Sequence, residues 1–184
     1  MPDTTSAAMP RAQGLQMLEQ AAGQAKSQTK AMAVLTLDVD HFKNFQDEAG
    51  VASAQAVIEQ LAGLLKSSVP AAARLVHLGS DEFFVVLPEA DIAAAQVLGD
   101  ELRQAVADGL AGANAQPPLT VTVGIAASPA EGHWSGAELL ALADMRMTFA
   151  KRRLTPHHNL CWAGSLPSDW YTRLDIDPRR WPSL

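Results

Sequence analysis

The stretch "HLGSDEFFVVLP", residues 77–88, sets two adjacent acids, Asp81 and Glu82, between two apolar runs. Leu75, Val76 and Leu78 precede the acids, and Phe83 to Leu87 follow them without a polar break. Gly79-Ser80 supplies turn chemistry, so 73–88 reads as strand, tight turn, strand, with paired carboxylates at the tip of a buried hairpin. Acids there either hold a metal or keep a turn in water. The choice depends on whether the fold delivers other acids to the same place.

A second acidic pair closes another strand. "AMAVLTLDVD" (31–40) is apolar until it reaches Asp38 and Asp40. Around these two segments the pattern is helical over 14–30, with Leu15, Leu18, Ala21 and Ala22 on one face, and again over 41–67, where Val57, Ile58, Leu61, Leu64 and Leu65 form a stripe closed by Pro70. A helix over 91–112 begins at the N-cap Asp91. A strand over 117–129 and a helix over 135–153, capped by Ser135, follow, and "HNLCW" (158–162) reads as an edge strand.

After the first helix the order is β-α-β-β-α-β and then a helix. It predicts an α+β fold of the ferredoxin-like or palm kind, an antiparallel sheet with helices on one face. In that arrangement the strand ending at Asp38 is central and lies beside strand 82–88, so Asp38 and Asp81 converge at one sheet edge.

The 184 residues suit one domain with a substantial core. Hydrophobic residues make up 48% and charged residues 18%, which is globular composition. The net charge of −6 argues against a nucleic-acid or acidic-membrane surface. An anionic substrate then has to be held by local cations or a metal. The single cysteine, Cys161, forms no intramolecular disulfide and fits a reducing compartment. No signal-like segment or membrane-length apolar run occurs, so the chain reads as soluble and cytoplasmic.

Hard cations such as Mg²⁺ take oxygen ligands, usually one or two carboxylates with substrate phosphates and water. Such ions activate a hydroxyl nucleophile and neutralise a transferring phosphoryl group. Lys43 and the backbone amides of His41, Phe42 and Lys43, at a helix start, suit a polyphosphate. The competing reading has Asp40 capping a helix while the hairpin acids solvate a turn.

Several ordered segments resemble the GGDEF domain, the diguanylate cyclase family, from about Asp3 to Trp162. "LDVDHFKNFQDEAG" is similar to LDIDHFKxINDxxGH, "GSDEF" (79–83) to the loop that names the family, "LTVTVGIAASP" to TxSxGxA and "LLALADMRMTFAKR" to LLxxADxALYxAK. "DTTSAAMPR" (3–11) is a worn form of DxLTGLxNR. The resemblance implies a GGDEF-like cyclase domain over 1–163, followed by an aromatic and proline-rich extension, 164–184. It implies Asp38, Asp81 and the Val39 carbonyl as ligands of Mg²⁺, with Mn²⁺ as the alternative, and Glu82 as an assisting acid. Catalytic roles fall on Asp38, Asp81, Glu82 and Lys43; the nucleotide falls to His41, Phe42, Lys43, Gln46, Gln55, Gly79, Ser80 and Lys151. Two copies, each holding one nucleoside triphosphate, face each other in a homodimer and join their substrates into a cyclic dinucleotide.

The departures from the family pattern are concentrated in the site. Gln46 and Gln55 stand where the family reads guanine with Asn and Asp. A glutamine offers one acceptor and two donors rather than a charged acceptor pair. GTP is therefore the substrate by resemblance, and ATP the option an amide opens. Ser80 replaces the second glycine of the loop, Val51 a histidine, and Thr155 a phosphate-contacting arginine. The product-inhibition motif RxxD falls on Pro70 and Ala73, with Arg74 out of register. Its loss beside retained metal ligands favours an enzyme over a product receptor. The reading from another class is an inactive GGDEF module that binds a nucleotide or a regulatory protein. His77 reads as a half-buried strand residue. Trp170, Tyr171 and Trp181 in the extension are expected to fold back on the domain, with a partner-protein contact as the alternative.

Overall fold

The computed structural model describes residues 7–129, 132, 135–154 and 158–174. A short strand β1 (Met9–Pro10) leads into helix α1 (Arg11–Gln28), strand β2 (Met32–Val39) and helices α2 (Phe42–Ala49) and α3 (Val51–Ser68). The hairpin β3 (Arg74–Gly79) and β4 (Glu82–Pro88), helix α4 (Ile92–Gly109) and strand β5 (Val121–Ser128) follow. Helix α5 (Gly136–Phe149) runs into a π turn (Ala150–Leu154), then β6 (Cys161–Trp162) and α6 (Trp170–Leu174).

The sheet has the order β1-β3-β4-β2-β5-β6. The inner four strands pair antiparallel, while β1 on β3 and β6 on β5 are parallel. The expected central position of the Asp38 strand holds, since β2 lies between β4 and β5.

The expectation of helices on one face is corrected. Along β2, Ala33, Leu35, Leu37 and Val39 enter a core shared with α2, α3 and α4, whereas Met32 and Val34 enter a second core with α1 and α5. Successive strand residues point to opposite faces, so an almost wholly apolar strand has to be covered on both. The single helix expected over 41–67 is also corrected. Gly50, at φ 85°, breaks it into α2 and α3. That left-handed conformation stops a helix, and glycine adopts it at little steric cost.

The helix starts hold as read. Asp91 accepts a 2.8 Å bond from the Ala94 amide, and Ser135 one of 3.3 Å from the Glu138 amide. The opening "DTTS" and residues 155–157, including Thr155, lie outside the described residues, as does Trp181.

Candidate functional site

Strand register builds the site. Asp38 is the Cα partner of Glu82 across the β2–β4 ladder, and the Val39 amide donates to the Asp81 carbonyl at 3.4 Å. The end of β2 and the hairpin turn therefore meet although they are distant in the chain. Gly79 (φ 133°) and Ser80 (φ 49°) make the turn, and the Ser80 hydroxyl donates to Asp81 Oδ1 at 2.8 Å. His77 is a strand residue, stacked on Phe83 with its Nε2 on the Ser80 carbonyl.

Lys151, carried on the π turn, reaches the same edge. Its ammonium donates to Asp38 Oδ1 and, at 3.1 Å, to the Val39 carbonyl, and lies 3.3 Å from Asp40 Oδ1. π turns inside helices often occur at functional positions because they re-aim side chains. Asp38 and the Val39 carbonyl thus share one cation.

Asp40 has a different role from either expectation. It does not cap α2, whose N-cap is His41 without a side-chain cap bond. Nor does it face the hairpin acids as one of a set. It is fully buried and accepts from Thr120 Oγ1 at 2.7 Å, Thr122 Oγ1 at 2.8 Å and the Asn159 amide at 3.0 Å. A buried carboxylate needs such donors, and this one knits β5 and the chain before β6 to the end of β2. Beside it, His41 and His158 stack edge-on with ring centroids 4.8 Å apart.

Burial pushes the Asp38 carboxyl up to about 6, with Asp81 and Glu82 adding to the rise and Lys151 opposing it. Asp144 of α5 is pushed up to about 7 by burial and by the charges of Glu82 and Asp38. Sequence reading gave this residue no role. Its motif "LLALADMRMTFAKR" marked a helix, and only the packing of α5 across the sheet brings that acid toward Asp38.

Next to the turn lies a cavity of about 500 Å³, lined among others by Arg11, Phe42, Gln46, Gln55, Gly79 and Ser80. Phe42, Gln46, Gln55, Gly79 and Ser80 are five of the positions assigned to the nucleotide. Gln55 is tied by its amide nitrogen to Glu59 at 3.2 Å, which turns its carbonyl oxygen to other partners. Val51, at 73% exposure, stands at the rim. Lys43 is exposed on the first turn of α2. Arg74 is a local staple, its Nη1 donating to the Ala71, Ala72 and Ala73 carbonyls.

Among the described residues, no group of three or more His, Cys, Asp or Glu side chains is disposed to hold a metal. A Mg²⁺ that shares its shell with substrate phosphates and water needs fewer protein ligands. The oxygens of Asp38 and Val39 already converge on a cation, so the donor set fits such an ion.

The sequence profile described as "Diguanylate cyclase, GGDEF domain" matches residues 3–155. The chain belongs to the GGDEF family. It is 30% identical over 121 residues to diguanylate cyclase DgcP of Pseudomonas aeruginosa, covering 66% of this chain and 18% of that protein. Over 134 residues it is 29% identical to the bifunctional diguanylate cyclase/cyclic di-GMP phosphodiesterase MucR of the same organism, covering 73% and 19%. The chain thus spans about a fifth of the length of these curated relatives. Among solved structures, the GGDEF domain of TpbB (YfiN) from P. aeruginosa superposes with a TM-score of 0.78 at 28% identity, covering 94% of this chain and 98% of that one. The GGDEF domain of DgcB from Caulobacter crescentus, solved with c-di-GMP, gives 0.77 at 22% identity, covering 88% and 94%, and shares the fold. Among the described residues, no helix of this GGDEF chain is long and apolar enough to cross a membrane.

Proposed function

We propose that this GGDEF chain is a metal-dependent nucleotide cyclase that condenses two nucleoside triphosphates into a cyclic dinucleotide messenger. The observation that carries the reading is the meeting of Asp38, the Val39 carbonyl and the Asp81 turn beside the cavity lined by Gln46 and Gln55. Asp38, Val39 and Asp81 would hold Mg²⁺ or Mn²⁺, which when bound would neutralise the α-phosphate region of the substrate. Glu82 adds negative charge to that cation site. Lys43, Lys151 and the amides at the start of α2 bind the polyphosphate, and Phe42, Gln46, Gln55, Gly79 and Ser80 surround the base and sugar.

Each half-reaction forms one bond from a 3′-hydroxyl oxygen to the partner's α-phosphorus and releases pyrophosphate. One chain holds one substrate, so closing the ring takes two copies face to face, and the active species is a homodimer. GTP is the substrate by family membership. The glutamines weaken that preference enough that ATP belongs in the assay.

A second reading is favoured by a specific pair of contacts. Lys151 sits on Asp38 and the Ser80 hydroxyl on Asp81, so both carboxylates are engaged before any metal arrives. In that case the domain binds a nucleotide or a regulatory protein without turnover. The experiment that separates the two incubates purified protein with Mg²⁺ and GTP, ATP or both, and identifies products by mass spectrometry. A cyclic dinucleotide that disappears in Asp38→Ala and Asp81→Ala establishes the enzyme. Binding without product from any combination establishes the inactive module.

A further inference from the structure

The chain beyond the family match, described over residues 158–174, joins the sheet edge through β6 and then packs on the end of α5 and the π turn that carries Lys151. Met145 and Phe149, at the end of α5, are buried under Trp162, Leu166 and Trp170 in an apolar cluster of their own, separate from the two main cores. Phe149 and Trp162 stack with centroids 5.2 Å apart. Arg146, 4% exposed, donates from Nε to the Gly164 carbonyl at 2.9 Å and from Nη1 to the Ile125 carbonyl at 2.7 Å. Arg153, in the π turn, donates to the Arg173 carbonyl of α6. The turn is thus held by apolar packing at its start and by a hydrogen bond near its end.

A π turn is a strained, sparsely populated geometry, kept only where its surroundings over-determine it. Lys151 lies one residue into this turn and reaches Asp38 and Val39 from there. We infer that the C-terminal extension is a brace for the nucleotide site: Trp170, Leu166 and the Arg153–Arg173 contact fix the π turn and so set the reach of Lys151. The extension acts through Lys151, which makes its residues positioning residues and not catalytic ones. The inference rests on the reading of Lys151 as a phosphate-side cation.

The test is a double-mutant cycle in the full chain. Affinity for the α,β-methylene analogues of GTP and ATP is measured by calorimetry with Mg²⁺, for Lys151→Met, Trp170→Ala, Arg153→Ala and the two combinations with Lys151→Met. Lys151→Met should weaken binding about tenfold, the effect of one charge-assisted contact. Trp170→Ala and Arg153→Ala should each weaken it several-fold alone and no further in the Lys151→Met background. Arg153→Ala touches no apolar packing, so it carries the test if Trp170→Ala does not fold. Binding unchanged by both brace substitutions, or losses that simply multiply with Lys151→Met, would overturn the brace and leave the site intact. No effect of Lys151→Met itself would remove the site reading and the brace with it.

Discussion

Ser80 places its hydroxyl on the Asp81 carboxylate at 2.8 Å while its own backbone is held at φ 49°. The turn imposes the left-handed backbone, and the chain puts a side chain there where the family's loop has glycine. A left-handed backbone costs an L-residue on the order of 1 kcal/mol that glycine avoids, partly offset by glycine's larger unfolded-state entropy.

Ser80→Gly should therefore raise stability by up to about 1 kcal/mol in urea denaturation. It should also tighten Mn²⁺ binding, read by calorimetry, because Asp81 loses a donor that competes with the ion. A destabilised variant with weaker Mn²⁺ affinity would show that the hydroxyl organises the turn instead of burdening it.

Asp40 and Asp38 lie two residues apart and should respond oppositely. Removing Asp40 strands two threonine hydroxyls, the Asn159 amide and part of the Lys151 charge in a dry site. Asp40→Ala should cost about 3 kcal/mol or more of stability. Asp38→Asn should leave the unfolding midpoint within about 1 kcal/mol of the parent, since its carboxylate is already penalised by burial. It should nonetheless abolish turnover. Parallel denaturation curves and a cyclisation assay check both halves.

The raised carboxyls predict a direction of pH dependence. Asp38, at about 6, and Asp144, at about 7, both sit above the ordinary aspartate range. Between pH 4 and 7 the folded chain then holds more protons at these groups than the unfolded chain, so their contribution to stability falls as pH rises. Each group contributes at most about 1.4 kcal/mol per pH unit over the span between its two pKa values. Asp144→Asn should flatten the decline in urea midpoint between pH 5 and 7.5 and raise the midpoint at the upper end. An unchanged slope would mean Asp144 ionises normally.

How much of this was readable beforehand follows from what pattern encodes. The meeting of Asp38 with Asp81 and Glu82 came from element order, because a β-hairpin beside a central strand leaves few registers for its tip. The two-sided burial of β2 was also encoded: "MAVL" puts four apolar residues in a row, where one-sided cover leaves alternation. The break at Gly50 was masked by an apolar stripe that resumes at once in α3. Asp144 and Lys151 could not be placed from spacing, because their proximity to Asp38 depends on how α5 crosses the sheet and on a π turn with no reliable local signature. Asp40 looked like its neighbour Asp38 because two acids at alternate positions share a strand face. Both do meet Lys151, but Asp40, just past the end of β2, is fully buried among Thr120, Thr122 and Asn159.

The crossing of α5 over the sheet depends on the absence of a side chain at Gly124. A Cβ there would lie 2.0 Å from the Ala143 carbonyl oxygen and 2.5 Å from the Met147 nitrogen, both backbone atoms that cannot rotate aside. Gly124→Ala should push the helix off the sheet at a cost of about 3 kcal/mol, at the upper end for overpacking. Because α5 also carries Asp144 and leads to Lys151, nucleotide affinity should fall with stability. A fully stable variant would contradict the helix–sheet distance.

Base preference is the point at which chemistry can be restored one atom at a time. Guanine presents the N1–H and N2 amino donors on its pairing edge, whereas adenine presents one amino donor beside an acceptor. Gln55 gives one of its two amide hydrogens to Glu59, so one N–H and a single neutral carbonyl acceptor are left to meet a base in the cavity. A carboxylate at that position accepts from both guanine donors with charge assistance, roughly twice the strength of a neutral bond. Gln55→Asp should strengthen GTP-analogue binding about tenfold while ATP-analogue binding stays level or weakens. The neighbouring Glu59 would repel the new charge, so pairing the change with Glu59→Gln should enlarge the gain. Equal effects on the two nucleotides, measured by competition calorimetry, would place the base away from Gln55 and return the cavity to some other ligand.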